Sequence, residues 1–508
     1  MRGTVRGLTA AAMAAALVAG LTLVGQARGL VPSQAADVEI QIARKLFAQG
    51  DFPAALVLFR EAEKYAPELD QRRRALTGIV RSALRVARFG LAMRTGAELA
   101  SLQPQDGDAV ALYGDALWAS GLFPEAEQQY RHAMELNPKT ARALNGLALL
   151  AAARSQLDRA MTDAQAARAL DPDGQQIQHT VGMIYERMHR YADAADAYEQ
   201  YVDLLPNKDR SLKAVWARAE IKFLRSFKDR QPFATDAADQ EALHTVGFRL
   251  VNHKVIIRAS LNGKPDQDLV LDTGAEQTVI SEATARDLGL KPVTFTLSAG
   301  VGDIGLRGLQ LARLDSLRIG PFTVHNVPCV IKNPALKDVP TKAADSFSPL
   351  ALGLSMRIDY ARHELIFGRH LPHESDAVQL PLYLNRLATV RGTINGGHPA
   401  SFVVDTGGEV ISISEAMAGT LGYPADAPRI PLKVYGTSGW DRDAFLMPGV
   451  DLRFAGIRYR NFPVVVLNLR APSVLLGYQL GGIVGQQFLS KYRVTIDLER
   501  SVLALTKL

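Results

Sequence analysis

From residue 36 to residue 208 the apolar positions recur with helical spacing, and the breaks between them are regular. Pro104, Pro138, Pro172 and Pro206 stand 34 residues apart, and Pro67 precedes the first of them by 37. An alanine lies twelve residues before each proline, at Ala55, Ala92, Ala126, Ala160 and Ala194; three residues before each alanine comes Phe52, Phe89, Phe123, Leu157 or Tyr191. Small residues at a fixed offset let two helices approach closely, and a proline ends the second helix before the next pair begins. The pattern predicts five helix pairs, at 36–69, 73–106, 107–140, 141–174 and 175–208, and an amphipathic helix from Ser211 to Phe227 that closes the stack with a polar outer face. The polar stretch from Lys228 to Ala242 reads as a linker, so 209–244 is closing helix and linker. Beyond it the period changes. Val255 to Leu261 alternates as a half-buried strand does, and short strands punctuated by Gly and Pro continue to the C-terminus, an all-β pattern.

The β half is doubled. Leu269-Val270-Leu271-Asp272-Thr273-Gly274-Ala275 returns as Phe402-Val403-Val404-Asp405-Thr406-Gly407-Gly408. Asn262-Gly263 and Asn395-Gly396 lie ten and nine residues before the respective aspartates, an Asn-Gly hairpin turn feeding each strand. Gly353, after Leu352, follows Asp272 by 81 residues, and Gly485, after Val484, follows Asp405 by 80. Related strand-like runs, Met356 to Leu365 and Tyr492 to Leu503, come next. The spacing predicts two lobes of one fold, at 245–370 and 378–508. A carboxylate closing an apolar strand needs a partner or a proton, and each lobe offers the other one.

Apolar-apolar-Asp-Thr-Gly in each lobe, with a later apolar-apolar-Gly, resembles the aspartic peptidases of the retroviral-protease and pepsin type. The duplication resembles the pepsin-like arrangement, with both lobes in one chain. The 34-residue period with its Ala and Pro placement resembles tetratricopeptide repeats. Together these imply a multidomain chain: an N-terminal all-α tetratricopeptide-repeat solenoid at 36–208, then an all-β bilobed aspartic-protease-like fold. The resemblance implies that Asp272 and Asp405 hold one water between them as the catalytic pair. It implies that Thr273 and Thr406 lock the two loops across the axis, and that Gly274 and Gly407 leave room for backbone N–H groups beside the carboxylates. Flap candidates are Gly300 and Gly302 in lobe one and Tyr435 and Gly436 in lobe two. The second set resembles a pepsin-like Tyr-Gly-Thr flap tip, which in that family belongs to the first lobe; either flap, or a symmetric pair, could close on substrate. Ala275 and Gly408 stand where pepsin-like enzymes carry a hydroxyl that steadies the anion, which implies a dyad titrating in mildly acidic to neutral solution.

With 508 residues, three or so domains are expected, and 47 % hydrophobic with 22 % charged residues is an ordinary globular composition. The net charge of +6 is scattered. Arg72-Arg73-Arg74 is the tight basic cluster, a solvated helix face rather than a nucleic-acid patch. The single cysteine, Cys329, excludes an intrachain disulfide and most Cys-based metal sites. Arg2 and Arg6 before an uncharged apolar run from Leu8 to Val24, then Gly25-Gln26-Ala27, read residues 1–27 as an export signal, or as an anchor if it stays uncleaved. Abundant Ala and Arg fit a bacterial source, which places the expected product in the periplasm or anchored to the inner membrane facing it.

Other chemistries find little support. The ten histidines are spread singly, without His-Glu-x-x-His spacing, and no Walker loop or Gly-x-Ser-x-Gly elbow is present. Gly300, Gly302 and Gly305 spell a dinucleotide pattern, but Leu306-Arg307-Gly308 opens no helix. No metal and no cofactor is expected. The sequence therefore points to an exported aspartic endopeptidase acting on a peptide or protein substrate. The alternative is a scaffold that binds peptide without cutting it. The repeats are either a spacer or a groove that takes a protein partner; no nucleic acid is expected, and a membrane only through an uncleaved leader.

Overall fold

The computed structural model describes residues 31–302, 307–332, 345–424, 426–427, 429–436 and 438–508. They fall into two compact units, one up to Ala116 and one from Leu117 onward. The expected leader at 1–27 and Gly305 of the glycine pattern lie outside the described residues.

Eleven helices occupy the described residues from Pro32 to Arg225: α1 Pro32–Ala48, α2 Phe52–Tyr65, α3 Leu69–Arg85, α4 Phe89–Leu102, α5 Gly107–Ala119, α6 Phe123–Leu136, α7 Ala141–Ala153, α8 Leu157–Leu170, α9 Gln175–Arg187, α10 Tyr191–Asp203 and α11 Leu212–Arg225. α2, α4, α6, α8 and α10 each stop just short of their proline. The five offset alanines are all fully buried. α1 begins four residues ahead of the apolar pattern because Pro32, whose missing N–H costs nothing in the first turn, starts it. Aromatic rings fill the hollows left by small residues. A Cβ on Gly78 would sit 2.4 Å from the Phe59 ring, and one on Gly146 would sit 2.3 Å from Tyr130.

The segment read as a linker is partly built into the β region. Ala234–Thr235 pairs antiparallel with Phe322–Lys332, and Ala237–Glu241 is a short helix. The next strand, His244–Gly247, pairs with Glu364–Gly368. Polarity there reflects an edge position rather than a free tether.

The two lobes repeat one topology. In lobe one Gln267–Leu271 runs parallel to Ser346–Phe347, and Thr278–Ser281 parallel to Phe322–Lys332. In lobe two His398–Val404 runs parallel to Gly482–Val484, and Ile411–Ser414 parallel to Ile457–Leu467. Both Asn-Gly turns form with left-handed backbones, φ 48° and 71° at Asn262-Gly263 and 47° and 73° at Asn395-Gly396. Each Asn side chain also ties down the neighbouring hairpin: Asn262 Oδ1 accepts from Ser316 N and Asn395 Oδ1 from Asp451 N. The lobes are joined by their last strands. Val378–Asn385, Val502–Lys507, Tyr492–Asp497, Ser355–Asp359, Glu364–Gly368 and His244–Gly247 are successive neighbours in one sheet.

One landmark moves. Asp272 N donates to Phe347 O at 2.9 Å and Asp405 N to Val484 O at 3.0 Å, so Phe347 is the counterpart of Val484. The residue matching Gly485 is therefore Ser348, and Gly353 lies five residues beyond it, at the end of the short 3-10 turn Pro349–Leu352. An apolar residue before a glycine recurs easily by chance; strand register decides the match.

Within the second unit the repeats are fused to the lobes. Ser401 Oγ donates to Gly121 O at 2.6 Å and Gln479 N to Ala119 O at 2.8 Å. Phe123 sits between Tyr383 and Tyr478, ring centres 5.0 and 5.2 Å away. Phe223, Leu224 and Phe227 share an apolar cluster with Leu311 of lobe one. Among the described residues no helix is long and apolar enough to cross a membrane.

Candidate active site

Asp272 and Asp405 each follow the last residue of a buried strand, Gln267–Leu271 and His398–Val404. Both are half-buried, whereas Thr273 and Thr406 beside them are 1 % and 0 % exposed. The threonines interlock. Thr273 Oγ1 donates to Val404 O at 2.6 Å and accepts from Thr406 N at 3.0 Å. Thr406 Oγ1 donates to Leu271 O at 2.7 Å and accepts from Thr273 N at 3.0 Å. Both threonine amides and both hydroxyl protons are thereby satisfied within the protein.

The glycines then admit the opposite carboxylate. A Cβ on Gly274 would lie 2.6 Å from Asp405 Cγ, and one on Gly407 would lie 2.6 Å from Asp272 Oδ1. No other residue type fits against a carboxylate at that distance. Gly408 follows the same logic, since its Cβ would stand 2.8 Å from Asp405 Oδ2. Each carboxyl group thus lies against the other lobe's glycine, and the two interact directly.

The pair is electrostatically unequal. Burial pushes Asp272 above its ordinary value, opposed by the Gly274 N–H at 2.9 Å and by Lys332 and Lys254. Burial and then the Asp272 charge push Asp405 up to about 7, although Gly407 N and Gly408 N both donate to its Oδ1 at 2.8 and 2.9 Å. Two lysines favour charge on Asp272, and that charge favours the proton on Asp405. Such a pair can accept a proton from water with one member while donating with the other.

The flap candidates also come together. In lobe one Thr294–Ser298 and Arg307–Ile319 form a hairpin; in lobe two Val434–Gly436 pairs with Gly439–Asp441. Their tips touch. Gly300 N donates to Ser438 Oγ and Ser438 N to Val301 O, both at 2.9 Å. Gly302, φ 131°, and Gly436 lie against Ser438 and Val301, too close for a Cβ. Tyr435 packs edge-on to Trp440 at 5.4 Å. The flap candidates of the two lobes therefore meet each other.

Two features escaped the sequence reading. Ser438 and Val301 link the flaps, and neither carries a motif. Glu276, two residues past Gly274, pairs with Arg386 of lobe two at 2.8 and 2.9 Å. The signal was available: Glu276 and Glu409 are 133 residues apart, the same offset as the aspartates, and Arg386 stands 133 after His253, both with φ near 60°. Cys329 is buried and its thiol is pushed up to about 12, which leaves it unreactive. Among the described residues no group of three His, Cys, Asp or Glu is placed to hold a metal ion.

Comparison with known proteins agrees with this geometry. Residues 257–356 match the gag-polyprotein aspartyl protease family, and residues 390–488 match the aspartyl protease family. No curated protein matches the chain. An aspartic proteinase from Irpex lacteus is 13 % identical over 52 % of this chain and 97 % of its own, with a TM-score of 0.33. A thermophilic TPR protein from Thermus thermophilus is 22 % identical over 37 % of this chain and 98 % of its own, with a TM-score of 0.32. Each lobe of the C-terminal half thus holds a region that matches an aspartyl protease family, and the helix pairs of the N-terminal region precede them.

Proposed function

We propose that this chain is an exported aspartic endopeptidase that hydrolyses peptide bonds with a water activated between Asp272 and Asp405. The observation that carries the reading is the reciprocal threonine lock with its two glycine approaches, which sets each carboxyl group against the other lobe's catalytic loop. Two carboxylates so close cannot both ionise cheaply, so one proton is shared.

In the proposed reaction ionised Asp272 takes a proton from the water as its oxygen attacks the scissile carbonyl carbon. Asp405 gives its proton to the carbonyl oxygen. Collapse of the resulting tetrahedral diol returns a proton to the departing nitrogen, breaks the C–N bond and leaves the pair with one proton again. The paired flaps give main-chain groups on both sides of an extended peptide, a recognition mode that is tolerant of side chains.

The repeats, on this reading, recruit the protein to be cut. Their support is the fusion of the α5–α6 turn and α11 to the lobes, which a mere spacer would not need. Residues 1–27 direct the chain to the periplasm, either released or anchored facing it.

The test is a pull-down from the exported protein pool with Asp272→Asn beside the wild type. The variant should retain intact proteins that the wild type returns as fragments. If the wild type releases the same proteins uncut, the scaffold reading replaces this one.

A further inference from the structure

Gln486, the first residue of the short helix Gln486–Leu489, holds the second catalytic loop from behind. It is 2 % exposed, and its side chain and its backbone are both engaged with that loop. Nε2 donates to Thr406 O and the backbone N to Gly408 O, each at 2.9 Å. Gln487 N donates to Glu409 O at 2.8 Å, so the carbonyls of residues 406, 408 and 409 are all held by this one turn.

The other ends of the same peptide units face the acid. The Thr406–Gly407 peptide accepts from Gln486 at its carbonyl and donates through Gly407 N to Asp405 Oδ1 at 2.8 Å; Gly408 N adds a second bond to Oδ1 at 2.9 Å. A peptide unit whose carbonyl is hydrogen-bonded is fixed in orientation and donates more strongly through its N–H. Two donors occupy both lone pairs of Oδ1, which leaves Oδ2 to carry the proton.

Lobe one is built otherwise. Ser348 matches Gly485 in strand register, so Pro349 stands where Gln486 does, and a proline has neither a backbone N–H nor a side-chain donor. There Asp272 Oδ1 receives one loop amide, from Gly274 at 2.9 Å, while Ala275 N faces the Asp272 backbone carbonyl at 3.4 Å. The two loops share the Asp-Thr-Gly spelling and the threonine lock; they differ in what stands behind them.

We propose that Gln486 is a positioning residue: by holding the Thr406–Gly407 peptide it keeps two N–H groups on Asp405 Oδ1, confines the proton to Oδ2 and keeps that proton releasable to the substrate carbonyl. The inference rests on the reading that Asp405 is the proton donor of the pair. An anion that accepts two N–H bonds forms more easily than a bare one, so Asp405 gives up its proton more readily with Gln486 than without it. The charged group facing Asp405 is Asp272, on which Lys332 and Lys254 act in turn. Glu409 is exposed on the same loop, and the Tyr360 hydroxyl beside Gln486, raised by burial, stays uncharged.

The experiment follows Asp405 alone, by carboxyl carbon NMR of aspartate-labelled Asp272→Asn, with and without Gln486→Met, which keeps the length and loses the donor. The methionine variant should titrate about half a pH unit or more above its parent. Gln486→Asn, whose amide is one methylene too short for Thr406 O, should move the titration the same way, and it serves if methionine does not pack. Phe488→Leu, in the same helix, loses packing against Phe454, Tyr459 and Tyr492 and should lower the melting temperature while leaving the titration in place. An unmoved titration in the folded Gln486 variants, or an equal shift from Phe488→Leu, overturns the proposal and makes Gln486 a packing residue. Rates are scored separately with Asp272 intact. Gln486→Met should carry the alkaline limb of the rate upward and lower kcat several-fold with KM little changed. A titration that moves while the wild type cuts nothing keeps the hold on Asp405 and removes the hydrolase; cutting with an unmoved titration does the reverse.

Discussion

Thr273 and Thr406 hold each other's loops: each hydroxyl accepts from the other's amide at 3.0 Å and donates to the strand carbonyl two residues before the other. The two lobes are thereby tied together by side chains that each donate one hydrogen bond and accept one across the axis.

Thr273→Val keeps the shape and removes the hydroxyl, which strands the Thr406 amide and the Val404 carbonyl in a buried position. Each stranded group costs about 1–3 kcal/mol. Denaturant unfolding should show a clear loss for either valine variant, and Thr→Ser should restore most of it. An unchanged midpoint for the valine variants would mean that the lock adds no stability.

Gly407→Ala places a methyl 2.6 Å from Asp272 Oδ1. The carboxyl group must turn away, so the cleavage rate should fall at least a hundredfold while circular dichroism stays that of the wild type. Gly263→Ala, at a turn where an added Cβ meets nothing within 4 Å, should cost stability through its φ of 71° but leave the rate per folded molecule unchanged.

The rate against pH should be bell-shaped. It should fall as pH rises through about 7, where Asp405 loses its proton, and fall in acid as Asp272, also raised above its ordinary value, takes one. Stability moves with the same groups. A carboxyl raised to about 7 in the folded chain, against ~4 unfolded, binds more protons when folded between those values. Stability therefore declines as pH rises from about 4 to about 7, with no penalty below that window. Asp405→Asn should flatten the slope. A rate that peaks below about pH 3 would contradict the assignment.

Ser438→Ala removes the hydroxyl that receives Gly300 N but keeps the Ser438 N to Val301 O bond. Loosened flap tips should raise KM severalfold with little change in kcat. Equal loss in both would place Ser438 nearer the chemistry than the flaps.

Much of this was legible because repetition amplifies weak signals. One Asp-Thr-Gly says little, but two with Asn-Gly turns at matched distances gave both strands and both turns. The 34-residue spacing likewise gave five helix pairs. What was missed involves contacts between segments far apart in sequence. Ser348 replaces Gly353 because parallel pairing sets the match, and Ser438 meets Val301 only after both hairpins fold. Glu220 looked like one more polar residue on an amphipathic helix, and packing alone shows that it faces inward. The segment near Ala234 looked like a linker because an edge strand need not be apolar on either face.

The most direct test is single-turnover cleavage of an unfolded protein by the wild type, Asp272→Asn, Asp405→Asn and the double variant, at several enzyme concentrations. If one water is activated by both groups acting as a unit, each single substitution should lower the rate by about 10³-fold or more and the double should be no slower than the singles. Rate per molecule should be independent of concentration, as a site within one chain requires. A single variant within tenfold of the wild type would contradict the account.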